Sequence, residues 1–377
     1  MVPHTRTAVL LMVCALLVQA CAPAAAPAPA APQAPTSAPP VKPTAASVPA
    51  AEKPVAAAVS GADTEAEAQK LFEAAKAAGE TEINWYTSIN EVEGVPLTEM
   101  FGKQYPGLTV NYFRSSETQL ISRIFTEAQA GKQNFDLLVT TSAHGLVPAG
   151  LALKWNPPNA AALDPDYVDK DGYWQPVYVT WNVIEVNTQL VKKDLIKSYE
   201  DLLKPEFKDK MIIDDTDYEW LSGMIETRGR EPTLDLLKKI AANGVTVING
   251  HGNISDKIAA GEYALAVNNY LNLSERAKRQ GAPNDWLAVE PVVVQLSKLA
   301  VNPKAPHPNA AKLLGNYVLS AEAQQYLATQ GRFPTRADVL PDPPDLVKGL
   351  KKYAAAPLQG DKQKEMEQLF KSIFQSP

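Results

Sequence analysis

The chain has 377 residues, a formal net charge of −6, 45% hydrophobic residues and 21% charged residues. The apolar content is ample for a sizeable core, and a mildly acidic balance with no basic run gives no electrostatic footprint for nucleic acid. Two cysteines, Cys14 and Cys21, rule out a disulfide-built scaffold.

The opening MVPHTRT carries Arg6 as its one charged side chain and leads into the apolar run AVLLMVCALLV. That run is shorter than the roughly 20 residues that span a bilayer. It fits the apolar region of a secretory signal peptide over residues 1–20. The close, Val18-Gln19-Ala20-Cys21, resembles a bacterial lipobox, in which the cysteine receives a diacylglycerol before cleavage. Lipidation of Cys21 would also consume the last thiol, since Cys14 leaves with the signal. The alternative is an ordinary signal peptide cut nearby. Residues 22–60 are almost only Ala, Pro, Val, Ser and Thr, without aromatic residues or apolar periodicity. Such a segment cannot offset the entropy of ordering, and reads as an extended tether.

From residue 61 onward the pattern alternates. TEAEAQKLFEAAKAAG is a helix with Gly79 as its stop, and TEINWYTS is a strand ending in hydroxyl residues. A helix is predicted over 95–104, followed by the strand LTVNYF and the helix ETQLISRIFTEAQAG, with Ser116 as cap. FDLLV suits a buried parallel strand and opens into Thr140-Thr141-Ser142. Strands alternating with helices imply a mostly parallel sheet covered on both faces. Ligands bind such sheets outside the carboxyl ends of the strands, where helices point their free N–H groups. Thr87-Ser88, Ser115-Ser116 and Thr140-Thr141-Ser142 would gather there. Helix capping is the plain alternative for each group.

A long β-rich aromatic stretch follows, YWQPVYVTWNVIEVNT, and then a second alternating unit. Its parts are the strand MIIDD, a helix capped by Thr216 or Asp217, the helix PTLDLLKKIAANG, the strand VTVI, the helix NISDKIAAGE and the strand YALAVNNY. A strand-rich return over 287–301 and helices over 308–329 come next.

Taken in order and spacing, INWYTS, FDLLVTTS, VNTQLVKKDLIKSYEDLLKPEFKDKMIIDD, DYEWL, AAGEYALAVNNY and GRFPTRADV resemble the extracellular solute-binding proteins of ABC importers, in their ferric-ion-binding-like branch. The resemblance covers about residues 80–340. It implies an α/β chain with the two-lobed type II periplasmic-binding-protein fold: mixed, mostly parallel sheets flanked by helices, with hinge strands between lobes. Lobe 1 is placed at 61–175 and about 288–318 and lobe 2 at 176–287, with C-terminal helices over 319–377 packing on both. A membrane permease and its ATPase are the implied partners, the chain being an exported monomer held at the membrane through its lipid alone. No cofactor is implied beyond ferric iron as a possible cargo.

The ferric pocket of that branch uses a His, a Glu and two consecutive Tyr. Here the His position matches Asn90, the Glu position Thr141, and Tyr270 is followed by Leu271, while Tyr218 matches a further Tyr used in some branches. Tyr218 and Tyr270 without a carboxylate make a thin iron site. The other reading is a small organic or phosphorylated anion. Its candidate ligand-binding residues are Ser88, Asn90, Ser115, Ser116, Thr140, Thr141, Tyr178, Thr216, Tyr218, Asn269 and Tyr270. Arg114 and Arg332 are the available countercharges, with a solvated surface position as the plain reading of each. Tyr178 and Trp181 are read as cleft wall or core, Trp220 and Tyr317 as core. His144, His251 and His307 have no metal-ligand spacing, so a zinc site is not expected. No catalytic motif is present; His251 with Ser255 and Asp256 is a poor triad because the last two are adjacent.

Overall fold

The computed structural model describes residues 61–358 and 360–375. The signal-peptide, Cys21 and tether expectations lie outside them. Helix α1 (Gly61–Ala77) precedes a first run of strands: β1 (Glu82–Thr87), β2 (Thr109–Arg114) and β3 (Leu137–Thr140). β1 pairs in parallel with both others, giving the order β2-β1-β3. The connections are α2 (Glu91–Gln104) and α3 (Glu117–Gln129). α2 starts before the expected residue 95 and carries Pro96 inside it. Proline lacks the N–H that would bond the carbonyl of Val92, and that carbonyl instead accepts a bond from the Tyr326 hydroxyl at 3.4 Å.

The thirteen-residue strand β4 (Gln175–Asn187) is buried along its whole length. A second run follows: β5 (Met211–Asp214), α4 (Tyr218–Arg228), α5 (Arg230–Ala242), β6 (Val245–Ile248), α6 (His251–Ala259), β7 (Leu265–Tyr270), α7 (Leu271–Arg279) and β8 (Asn284–Leu287). β5 is parallel to β6 and β7. Gly244 closes α5 at φ +89, and a side chain there would run into the backbone nitrogen of Asp209, 2.8 Å from an added Cβ. Then come β9 (Val292–Val301), α8 (Pro308–Val318), α9 (Ala321–Thr329), the short strands β10 (Phe333–Pro334) and β11 (Lys352–Ala354), and α10 (Gly360–Phe374).

β4 pairs antiparallel with β9 from Gln175 to Trp181, then with β7 and β8 from Asn182 onward. β9 also pairs with β3, so β4 and β9 link the first half of the sheet to the second. Each half has its own core. Trp85, Leu97, Phe101, Leu137 and Leu314 pack on one side, and Ile213, Trp220, Leu237, Leu265 and Phe370 on the other. Trp181 is core as well, with Phe333 at 5.5 Å, and so are Trp220 and Tyr317. No helix among the described residues is long and apolar enough to cross a membrane.

Candidate functional site

The carboxyl ends of β1, β2, β5, β6 and β7 and the helix starts that follow them open on one cavity of about 650 Å³. Its lining includes Ser88, Asn90, Ser115, Ser116 and Thr141 from the first half. Thr216, Tyr218, His251 and Tyr270 come from the second, and Tyr178, Thr180 and Gln295 from the linking strands β4 and β9. Parallel pairing is the cause: it brings every strand end in a half to the same edge, with a helix amino terminus beside it.

Local bonding decides which side chains remain available. Asn90 sits at the cap position of α2 without a capping bond from its side chain. Ser116 caps α3, accepting from the Gln119 N–H, and the Ser115 hydroxyl bonds the Gln119 side chain. At α4 neither expected cap acts as one. Asp217 makes no capping bond, and Thr216 gives its N–H and hydroxyl to Asp214. Two candidates lie behind the wall. Thr140 is fully buried and meets the Ser88 hydroxyl at 3.2 Å. Asn269 is fully buried because its amide is taken up by Glu185 and its oxygen by His251 and the Tyr270 N–H.

Several groups that the sequence reading passed over define the electrostatics. Glu117 from α3 and Glu219 from α4 face each other across the cavity near Lys298 of β9. The Lys298 ammonium is buried and donates to the carbonyls of Thr141 (2.6 Å) and Leu296 (3.0 Å), with Glu219 at 4.0 Å. Burial, and then the charge of Glu219, push the Glu117 carboxyl up to about 7. Burial likewise raises Glu219 and lowers Lys298. Burial and the nearby Asp217, Asp214, Glu117 and Glu219 hold the Tyr270 phenol well above its ordinary range.

Arg332 is not a solvated surface charge. It is 6% exposed, donates from Nε and Nη2 to Glu93 at 2.9 and 2.8 Å, and covers the Tyr178 ring at 4.5 Å. Arg114 lines the cavity and is exposed. His251, expected in a loop without metal-ligand neighbours, begins α6 and stacks on Tyr270 with ring centroids 3.6 Å apart. Its Nε2 lies 3.3 Å from Asp217 and 3.9 Å from Asp214. Burial opposes its charge, but the two aspartates outweigh that and keep the imidazole protonated up to about 9. Ser255 bonds Glu185 rather than His251, so those side chains form no triad. His144 is buried between the carbonyls of Thr141 and Leu358, which leaves it outside the cavity lining.

Comparison with known proteins places this geometry. A family profile described as bacterial extracellular solute-binding protein matches residues 97–357. The chain is 23% identical over 279 residues to iron uptake protein A1 of Synechocystis sp., covering 68% of this chain and 77% of that one. Iron-bound HitA of Pseudomonas aeruginosa superposes with a TM-score of 0.66 at 22% identity, over 78% of this chain and 99% of that one. AfuA of Actinobacillus pleuropneumoniae with bound fructose-6-phosphate superposes with a TM-score of 0.68 at 19% identity, over 78% and 99%. These likenesses carry the fold: the two-lobed type II periplasmic-binding-protein architecture.

Proposed function

Since the chain belongs to the family of bacterial extracellular solute-binding proteins, we propose that it captures a small organic or phosphorylated anion in the interlobe cavity and delivers it to an ABC-type permease. The observation that carries this reading is the convergence of helix amino termini on one cavity: α2 and α3 from one lobe, α4, α6 and α7 from the other. Unpaired N–H groups and the positive ends of helix dipoles favour an anion at that point. Asn90, Ser116 and Thr141 supply neutral hydrogen-bond donors around it, while the hydroxyls of Ser88, Ser115 and Thr216 donate to Thr140, Gln119 and Asp214 and shape the wall. Burial pushes the Glu117 carboxyl up to about 7, which favours its protonated form, and in that form it can donate to a cargo oxygen. Closure of the lobes follows from cargo contacts made by both.

Delivery is completed by the segment outside the described residues. A diacylglycerol on Cys21 and the Ala/Pro-rich tether keep a monomeric receptor near its transporter, which raises effective concentration without adding contacts.

A second reading, ferric cargo, is favoured by Tyr218 and Tyr270 lining the same cavity as Glu117 and Glu219. Against it, Leu271 stands where the branch has its second tyrosine and is fully buried in the core. Native mass spectrometry of protein purified without chelator, with a visible absorption scan, separates the two. A co-purified organic anion and a colourless protein support the first reading. A tyrosinate-to-iron band overturns it.

A further inference from the structure

We propose that Asp214, Asp217 and His251 form a binding site for a divalent transition-metal ion of the zinc class, in the wall of the second lobe. Their ligand atoms lie within 4.8 Å of one another. A tetrahedral zinc ion with bonds of about 2.0 Å needs ligand atoms about 3.3 Å apart. The Nε2 of His251 stands 3.3 Å from the Asp217 carboxylate and 3.9 Å from that of Asp214.

Hydrogen bonding around the cluster points the donors inward. The buried Glu185 carboxylate receives the Asn269 amide and the Asn284 amide, which fixes Asn269 with its oxygen toward His251. That oxygen meets His251 Nδ1 at 2.9 Å. Nδ1 therefore carries a hydrogen, and Nε2 is left to face the aspartates. An outer partner that fixes the tautomer in this way is the usual companion of a metal-bound histidine. Asp214 is held by the Thr216 and Gly250 N–H groups at 2.9 and 2.7 Å.

Asp217 gives the independent sign of a missing occupant. It is 1% exposed, and neither of its carboxylate oxygens has a hydrogen-bond partner of normal geometry. The Nε2 of His251 lacks one too. In the metal-free protein the His251 imidazolium, 3.3 Å away, is the charge that offsets the buried carboxylate without bonding it, and a metal ion would replace that proton with direct bonds to both side chains. The donor set, one imidazole and two carboxylates, suits a borderline divalent ion rather than a soft one, and has too few oxygens for calcium. Binding displaces the proton that Nε2 otherwise carries, which leaves for solvent. Asp214 and His251 also border the cavity, while Asp217 lies behind them.

The inference stands apart from the anion reading because the probe is the metal alone. Full-length chain stripped with EDTA is titrated with zinc chloride by calorimetry. One site per chain is expected. His251→Gln and Asp217→Asn should each weaken it by more than about 100-fold, beyond the effect of losing an outer partner. His307→Gln, which removes the separate histidine beside Asp136 and Glu82, should leave it within about twofold. Absence of micromolar binding, or binding indifferent to both cluster variants, overturns the site. Should those variants fail to fold by circular dichroism, anomalous diffraction at the zinc edge on wild-type crystals decides. A peak among the three side chains supports the site, and a peak elsewhere or none refutes it.

Discussion

Glu117 should make this protein more stable in mild acid than above neutrality. Its carboxyl is raised from 4.5 to about 7, by burial first and then by Glu219, while Ser142, Lys298 and Thr140 pull the other way. A folded-state value above the unfolded one means the folded chain binds the extra proton between those limits. The associated stability is fully present below 4.5 and is lost as pH rises through 7. The shift corresponds to at most about 3 kcal/mol. Glu117→Gln removes the charge and keeps the shape. Urea denaturation of both chains from pH 5 to pH 8 is the assay, because the difference between them cancels the titrating groups that are not coupled to Glu117, leaving Glu117 with its neighbours Glu219 and Lys298. Near pH 5 the glutamine chain should lead by less than about 1 kcal/mol, and by pH 8 by about 1–3 kcal/mol. A difference that stays constant with pH, or a wild-type chain favoured at pH 8, would refute the reasoning. The carboxylate would then be well solvated or better paired than the Lys298 geometry allows.

Other perturbations test separate contacts. Arg332→Ala leaves Glu93 buried with Arg276, at 3.6 Å, as its remaining cation among the described residues, and should cost about 3–5 kcal/mol in denaturant titration; a loss below about 1 kcal/mol would mean the pair is hydrated. Gly223→Ala should cost about 1–3 kcal/mol, seen as a lowered melting temperature, because an added Cβ would lie 2.6 Å from Val293 Cγ1 where α4 packs on β9. Tyr270→Phe removes one phenolic oxygen from the cavity and should weaken cargo binding about tenfold. Unchanged affinity would remove Tyr270 from the site.

The parts of the site visible in the sequence are those set by local rules. Hydroxyl residues at strand ends and the Ser116 cap follow from strand–turn–helix patterning, and parallel pairing then carries Ser88, Ser116, Thr141 and Thr216 to one edge. Asn269 lies behind the cavity wall for a reason of register. Side chains alternate along β7 and the fully buried Asn269 turns into the Glu185 network, while Tyr270 reaches the cavity. The groups that set the charge came from contacts distant in sequence. Arg332 finds Glu93 through the packing of α9 against α2, and His251 finds Asp214 because β6 pairs beside β5. Glu117 and Glu219 each read alone as an ordinary acidic residue in a first helical turn. Only the tertiary fold, which sets the starts of α3 and α4 on one cavity, brings their charges together.

The central claim is that an anion fills the space between the lobes. Its most direct measurement is thermal denaturation of the full chain against a graded panel of sugar phosphates, small carboxylates, their uncharged analogues and ferric citrate. At least one phosphate or carboxylate should raise the melting temperature steadily with the logarithm of its concentration, by an amount equivalent to about 2.7 kcal/mol at a hundredfold excess over Kd, while its uncharged analogue does nothing. Stabilisation by ferric citrate with no response to citrate or any other anion would contradict the account.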